Sequence, residues 1–355
     1  MKAVFYNSPG DAEVLCYEDV SDPSPHPGDV VVKVEATALN RLDVIQRNGW
    51  FQMPGFAYPH IAGMDVAGHV VAVGSDITAS ANIAAGGTKP IAVGDRVVID
   101  PSMSGVAENS KYRGMGDLYG DLGIIGATLD GGYAELCLAP ASHVYPIPEH
   151  VSSAQAATFP TCYMTAAHAL FDVGKLVQGE VVLIHAAGSG VSSAAIQLAK
   201  KAGAVVLATA GTDEKCAKAQ TIGADHSCNN RTSDITAWAR EVTDGRGVDM
   251  VFDHVGPALW EASIFALAVK GRVVVCGGTT GDVVSIPSVG MFYHLGLSIC
   301  GSDPYRPEEF GPVWEQFCSE DFDVVIDSEF PLSEAATAQE KMLNSDFFGK
   351  ILLRP

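Results

Sequence analysis

Val181-Val182-Leu183-Ile184-His185-Ala186-Ala187-Gly188-Ser189-Gly190-Val191-Ser192 reads as a hydrophobic strand, a turn of small residues and the start of a helix. The strand shows no polar alternation, which is the pattern of a strand covered on both faces in a parallel sheet. Small residues after it let the main chain approach a phosphate closely, and the free amides of a helix N-terminus meet the negative charge. The G-x-G-x-x-G spacing of a dinucleotide turn is not met, because Ala187, Ser189 and Ser192 hold the glycine positions. A tight strand-to-helix turn with no ligand has the same local pattern. The surroundings decide between the two.

Outward from this stretch, strand and helix alternate. The pattern predicts strands over 180–185, 204–208, 248–253, 272–276 and 297–300, with helices over 192–202 and 213–222. Such alternation specifies a parallel sheet with helices on both faces, a doubly wound Rossmann unit. Residues 152–171 read as an alanine-rich helix interrupted near Pro160. The second strand ends in Thr209-Ala210-Gly211-Thr212, with no carboxylate before Asp213, and Lys215 follows in the next helix. A carboxylate at that strand end holds the ribose hydroxyls of NAD and repels a 2′-phosphate. An uncharged tip with a cation nearby therefore suits NADPH better than NADH. The alternative makes Lys215 a solvated helix residue, with Asp213 supplying the carboxylate one turn late.

The part before residue 145 has a different texture. Short β-type runs at 30–34, 70–73, 96–99 and 133–138 are separated by turn residues such as Pro27-Gly28 and Asp130-Gly131-Gly132, as in a partly open β-barrel. Residues 78–89 and most of 102–125 read as exposed loops. The tail after Pro304 has β character again at 324–326 and 350–353 and is expected to return to the first domain. Two domains are natural for 355 residues.

Against 42 acidic residues stand 22 basic ones, a formal charge of −20. That field argues against nucleic acid or a membrane surface as partner, so any phosphate must be held by local geometry. Met1-Lys2-Ala3-Val4-Phe5-Tyr6 reads as a first strand and not as a signal peptide, and no apolar run is long enough for a bilayer of about 30 Å. The eight cysteines are scattered with no Cys-x-x-Cys pair, which suits reduced thiols in a cytoplasm.

These residues resemble the medium-chain dehydrogenase/reductase superfamily over nearly the whole chain. The resemblance is carried also by Asn40-Arg41-Leu42-Asp43, Gly63-Met64-Asp65-Val66-Ala67-Gly68, Gly94-Asp95-Arg96-Val97, Gly131-Gly132-Tyr133-Ala134-Glu135 and Phe348-Gly349-Lys350-Ile351. It implies an α/β fold in which a GroES-like β-barrel domain (1–162 and 304–355) surrounds an inserted Rossmann doubly wound parallel-sheet domain (163–303). It also implies an active site in the cleft between them. A homodimer formed through the Rossmann sheet edge is expected by the same likeness, and the apolar stretch 295–299 is available for it.

Zinc alcohol dehydrogenases of that superfamily hold their metal with Cys, His and Cys. The matching positions here carry Asn40, Met64 and Thr161, none a good zinc ligand. Cys162 and Asp65 nearby make at most half a site, and no cysteine lies between Pro101 and Thr128 for a structural zinc. No zinc is expected. What remains resembles the zinc-free, quinone oxidoreductase-like branch, whose members use NADPH to reduce quinones or activated alkenes. Asn40 and Asp43 match that branch's Asn-x-x-Asp motif beside the nicotinamide, which makes Asn40 the candidate catalytic-site residue; both residue types also cap turns. Thr165, Val191 and Cys276 correspond to family positions lining the nicotinamide, with Gly277 and Gly278 bringing main chain close. Gly188, Ser189, Gly190, Gly211, Thr212 and Lys215 complete the cofactor set.

Without a metal, hydride delivery rests on orientation and electrostatics, and an acceptor that delocalises the incoming charge needs least help. The expected function is NADPH-dependent reduction of a small apolar quinone or α,β-unsaturated carbonyl compound. A zinc-independent alcohol or carbonyl dehydrogenase and a catalytically silent NADP-binding regulatory protein are the alternatives. Tyr58, His60, Tyr163, Tyr293 and His294 are conceivable proton donors, each equally suited to core or surface, and solvent can protonate a delocalised enolate. Trp50, Phe51, Phe56 and Tyr58 either wall an apolar pocket or pack the barrel edge. His185, His254 and Asp253 at strand ends read as structural, with His254 placed to approach the ribose.

Overall fold

In the computed structural model, which describes residues 1–52, 56–75, 91–103 and 123–355, the chain opens with strands β1 (Lys2–Tyr6), β2 (Cys16–Asp19) and β3 (Asp29–Ala38). Helix α1 (Arg41–Arg47) precedes β4 (His60–Ile61), β5 (Asp65–Val73), β6 (Arg96–Ile99), β7 (Leu136–Pro140) and β8 (Val144–Pro146). Helices α2 (Ser153–Ala157) and α3 (Phe159–Ala167) lead through a π-helical segment (His168–Val173) to β9 (Val181–Ile184), α4 (Gly190–Lys201), β10 (Val205–Ala210) and α5 (Asp213–Thr221). Next come β11 (His226–Asn229), α6 (Ile235–Val242), β12 (Val248–Asp253), α7 (Trp260–Phe265), β13 (Leu267–Val275), α8 (Val289–Leu295) and β14 (Ser298–Gly301). The chain finishes with α9 (Pro307–Ser319), β15 (Ile326–Pro331), α10 (Ala335–Leu343) and β16 (Lys350–Arg354). It divides into two units, Met1–Thr161 with Arg306–Pro355, and Cys162–Tyr305.

The first unit holds a sheet in the order β15-β16-β3-β5-β6-β8, with β7 also paired to β3, and a small sheet β2-β1-β4. Val30, Val32 and Val34 on alternate positions of β3 face a core shared with Val66, Val70, Val97, Ile99 and Val144. A second cluster joins Tyr6, Leu39, Val44, Ile61 and Tyr133 to Leu332, Ala338, Ile351 and Leu353 of the tail. The tail therefore returns to this unit because β16 completes its sheet, with Leu352 opposite Ala38 on β3. Main-chain bonds from Gly131, Gly132 and Tyr133 to Ile61, Gly63 and Ala62 lace the segment after Ile125 onto the start of β5. Gly126 is needed there: its φ is +78°, and a Cβ would run into the main chain of Gly63 and Met64.

In the second unit every strand pair is parallel, in the order β11-β10-β9-β12-β13-β14. Numbered within the unit this is 3-2-1-4-5-6, so the order reverses beside β9, between its neighbours β10 and β12. The core beneath helices α6 and α7 is built from Leu183, Leu207, Val251, Trp260, Ile264 and Val273.

Several expected boundaries move for local reasons. Helix α4 begins at Gly190, two residues before the predicted start, because Ser189 caps it by accepting the Ser192 N–H. The break in the alanine-rich helix falls at Thr158, and Pro160, lacking an N–H, sits in the first turn of α3. Strand β11, whose sequence His-Ser-Cys-Asn is polar, escapes hydrophobic patterning, because it is an edge strand. The tail's predicted strand at 324–326 lies instead at β15, paired in parallel with β16. The expected loop at 78–89, and residues 104–122 of the other, lie outside the described residues. Among the described residues no helix is long and apolar enough to cross a membrane.

Candidate functional site

The quoted turn sits at the carboxyl end of the central strand β9, all four residues of which are buried. Ala186 takes a left-handed φ of +52°, and Ser189 N–H bonds back to Ala186 O at 2.8 Å. Ala187 N–H reaches Thr209 O on β10, also at 2.8 Å, so the turn is tied to the neighbouring strand. The chain then enters α4, a helix of 12 residues in whose first turn Ser189 Oγ takes the Ser192 N–H and the other amides have no partner within the helix. Three-turn helices with a backbone of this kind attract anions at that end. Among the described residues this is the feature that fits a dinucleotide's diphosphate.

At the end of β10, Thr212 caps α5 through its Oγ1, which accepts the Lys215 N–H at 3.2 Å. Asp213 is engaged by β11, with Asn229 Nδ2 donating to its Oδ1 at 2.7 Å. A residue that sequence reasoning missed joins this tip: a Cβ on Gly211 would lie 3.2 Å from Arg231 Nε. Arg231 follows β11, and pairing of β11 with β10 brings it back over Gly211. Its signal was a cation just past the third strand, invisible while that strand went unrecognised. Arg231 thus lies at the Gly211–Thr212 tip, and Lys215 follows it in the first turn of α5.

Cys276, Gly277 and Gly278 follow β13 on the same carboxyl edge of the sheet, and burial pushes the Cys276 thiol up to about 12, so it stays protonated. Glycine is required at 278, where a Cβ would collide with Gly281 O. Val191 lies in the first turn of α4 and Thr165 on α3, both half-buried.

Beneath the turn, His185 is fully buried and burial lowers its imidazole to about 4. Ser263 Oγ donates to Asp253 Oδ2 at 2.7 Å, so at the 3.0 Å contact His185 Nε2 is the donor and Ser263 Oγ the acceptor. His185 Nδ1 then accepts from Thr209 Oγ1 at 2.9 Å. Asp253 Oδ1 takes the N–H groups of Val255 and Gly256 and so caps the turn after β12, a structural role as expected. This row of polar groups ties β9, β10 and β12 together directly under the phosphate-type turn.

The first unit contains a second buried polar centre. Asp65 Oδ1 accepts from Thr161 N at 2.8 Å and Thr161 Oγ1 at 2.6 Å, while Oδ2 accepts from Asn40 Nδ2 at 2.9 Å and Lys350 Nζ at 2.8 Å. Lys350 directs its other two hydrogens to Leu39 O and Asn40 Oδ1, both at 2.8 Å. The second Asn40 amide hydrogen goes to Ala38 O at 3.3 Å. Asn40 is therefore held by its neighbours on both amide atoms, and its main-chain N–H is taken by Asp43 Oδ2 at 2.8 Å. Tyr133 OH donates to that same Asp43 oxygen at 3.0 Å. Burial drives Asp43 up to about 7 against these two hydrogen bonds. Lys350 was legible only as part of a motif; its role depends on the return of β16 beside residues 39–40.

The other candidate residues are scattered. Met64 packs with Ala127 in a small apolar cluster. His60 is buried, its Nε2 donating to Gly126 O at 3.1 Å, with burial lowering its pKa. Phe56 and Tyr58 pack with Tyr6 and His60, ring centroids 4.7–6.3 Å apart, against the core, whereas Trp50 and Phe51 are exposed. Tyr163 is buried in the second unit, and the exposed Tyr293 and His294 rings lie in tilted contact with each other, centroids 4.3 Å apart.

A GroES-like unit and, in the same chain, a 3-2-1-4-5-6 parallel sheet with a phosphate-type turn define a dinucleotide-dependent class of oxidoreductase. Residues 26–149 match the alcohol dehydrogenase GroES-like domain, and residues 190–319 match the family described as zinc-binding dehydrogenase. A crystal structure of an NAD-dependent alcohol dehydrogenase is 34% identical with a TM-score of 0.88, each chain covered over 100% of its length. The quinone oxidoreductase of Rattus norvegicus is 28% identical, covering 99% of this chain and 97% of the rat protein. The Escherichia coli quinone oxidoreductase in complex with NADPH is 25% identical with a TM-score of 0.83, covering 100% of both chains. The chain also matches a Mycobacterium bovis phthioceranic/hydroxyphthioceranic acid synthase at 29% identity, over 98% of its own length but 15% of that protein's. The chain belongs to the medium-chain dehydrogenase/reductase superfamily.

Two predictions follow from the buried groups. Lys350→Met leaves Asp65 buried without its cation and should cost about 3–5 kcal/mol in urea unfolding, while Lys350→Met with Asp65→Leu should cost less than Lys350→Met alone. Between pH 6.5 and 4 the unfolded chain protonates His185 and the native protein does not, so stability falls as pH drops across that window. His185→Gln should remove a slope of about 1.4 kcal/mol per pH unit there. Asp43, whose raised pKa works in the opposite direction, is common to both proteins and cancels in the comparison.

Proposed function

We propose that the protein is an NADPH-dependent reductase of quinones or α,β-unsaturated carbonyl compounds that transfers hydride without zinc. The observation that carries the cofactor choice is the Gly211–Thr212 tip, which Arg231 approaches and Lys215 follows in the first turn of α5, while Asp213, the first carboxylate after β10, is engaged by Asn229. A 2′-phosphate gains from two cations and from the absence of a carboxylate at the end of β10. The NADPH complex of the Escherichia coli relative supports the same choice.

The donor chemistry of the first unit supports a reaction without zinc. Asn40 and Thr161 both donate to Asp65, Met64 is in an apolar cluster, and the Lys350 ammonium already lies against the Asp65 carboxylate. Zinc would need thiolate, imidazole or free carboxylate donors, and a cation beside it would oppose it. Bound NADPH supplies the hydride. The residues of the chain then have three tasks: the α4 turn and the Gly211 tip hold the coenzyme, Gly277 and Gly278 let main chain approach it, and the neutral Cys276 thiol keeps the lining uncharged. Proton delivery is left to solvent, which suits acceptors that delocalise charge.

A second reading, a zinc-independent alcohol or carbonyl dehydrogenase, is favoured by the NAD-dependent alcohol dehydrogenase structure. None of the eight cysteines is disulfide-bonded, which supports a reducing compartment. The edge strand β14 and exposed Ile286, Val289, Tyr293 and Ile299 support a homodimer formed through the second unit.

Stopped-flow assays with quinones, enones, aldehydes and alcohols, before and after dialysis against a chelator, test the reaction. NADPH oxidation by enones or quinones at a rate the chelator leaves unchanged is expected; alcohol-driven reduction of NADP, or loss of rate with the chelator, overturns the proposal. Lys215→Ala and Arg231→Ala should each weaken NADPH binding several-fold and leave NADH binding unchanged, as measured by coenzyme fluorescence. Equal effects on both coenzymes refute the phosphate assignment.

A further inference from the structure

Ser189 and Ser192, the two hydroxyl residues that replace glycine in the turn, both lie within hydrogen-bond reach of the His254 ring. His254 follows β12, and its Nε2 lies 2.8 Å from Ser192 Oγ and 3.2 Å from Ser189 Oγ. Its main chain is fixed by Thr279, whose N–H and Oγ1 both bond His254 O at 2.9 Å. A Cβ on Gly277 would lie only 3.2 Å from His254 Cβ, so glycine there relieves crowding at the root of the His254 side chain.

Hydrogen counting gives this cluster a direction. A serine hydroxyl has one hydrogen, and Ser192 gives it to His185 O at 2.6 Å, an oxygen that can only accept. Ser192 Oγ therefore faces His254 as an acceptor, and Nε2 carries the hydrogen between them. Ser189 Oγ accepts the Ser192 N–H at 3.1 Å and faces the same protonated nitrogen, so it too is an acceptor on that side. The Ser189 hydroxyl hydrogen is thereby turned away from the cluster. Ser189 is the half-exposed N-cap of α4, beside the amides that meet an anion.

We propose that His254 is a positioning residue for the diphosphate of the dinucleotide: by donating into the Ser189–Ser192 pair, it orients the Ser189 hydroxyl as a donor to phosphate. The inference rests on the dinucleotide reading above. A glycine turn presents amides alone and needs no such control. A serine in that turn presents either a hydrogen or a lone pair, and a lone pair toward phosphate is repulsive. His254 fixes the choice. Both the neutral ring with hydrogen on Nε2 and the charged ring satisfy the geometry, so the device does not depend on titration.

Calorimetric binding of NADPH, NADH and ADP-ribose to the full chain tests this, because the three share a diphosphate and differ elsewhere. His254→Phe and Ser189→Ala should each weaken all three about tenfold, the size of one hydrogen bond to a charged acceptor. The double variant should be no weaker than either single one, and His254→Gln, which restores an N–H at the same reach, should recover most of the affinity. In a Ser189→Gly background, His254→Phe should have no effect, which separates positioning from a general defect in folding. Additive losses, a loss confined to NADPH, or no loss overturns the role of His254 while leaving the cofactor reading intact. A wild-type protein that binds none of the three overturns both.

Discussion

A carboxylate removed from water must have its lone pairs met by donors, and the first unit is assembled around meeting those of Asp65. Four donors from Asn40, Thr161 and Lys350 converge on its two oxygens. These residues are separated by scores to hundreds of positions in sequence, so the chain cannot satisfy Asp65 locally. The start of β5, the turn before α1, the N-terminal part of α3 and the last strand must all arrive together. Unpairing one buried partner is far costlier than any surface contact. This explains why the tail returns to a unit it left more than a hundred residues earlier.

The second unit obeys the same rule beneath its surface and relaxes it at one edge. His185, Ser263 and Asp253 form a closed row under the sheet's carboxyl end, with every hydrogen directed to an acceptor. Next to this row is the N-terminus of α4, where Ser189 Oγ takes the Ser192 N–H and the remaining first-turn amides are not met within the helix. A fully paired floor under the proposed diphosphate site would keep its donors in place before a ligand arrives, which is the physical content of preorganisation. The −20 formal charge makes that local arrangement necessary, because the overall field opposes an anionic ligand.

Legibility varied with how local the determining physics was. The β9 turn and α4 were readable because an uninterrupted apolar run, small residues and a serine cap act within a dozen positions. Strand β11 was not: its four residues are polar, and only pairing with β10 makes them a strand. Missing it also hid Arg231, whose place over Gly211 depends on that pairing. Helices α9 and α10 went unread because the tail showed β character at its ends and their packing partners lie far away in sequence. Asn40 was recognised by motif, but whether its amide is available or held could not be read until Lys350 was placed beside it.

By itself the sequence determined the α/β class, the parallel alternation in the second half, the phosphate-type turn and the lack of a carboxylate at the end of the second strand. Each follows from propensity, periodicity or residue chemistry over a short span. Tertiary structure alone decided that Lys350 closes the Asp65 centre, that Arg231 reaches Gly211, and that His254 meets both serines of the turn. The reason is that hydrogen-bond direction and charge pairing belong to contacts, and those contacts join residues that no local pattern relates.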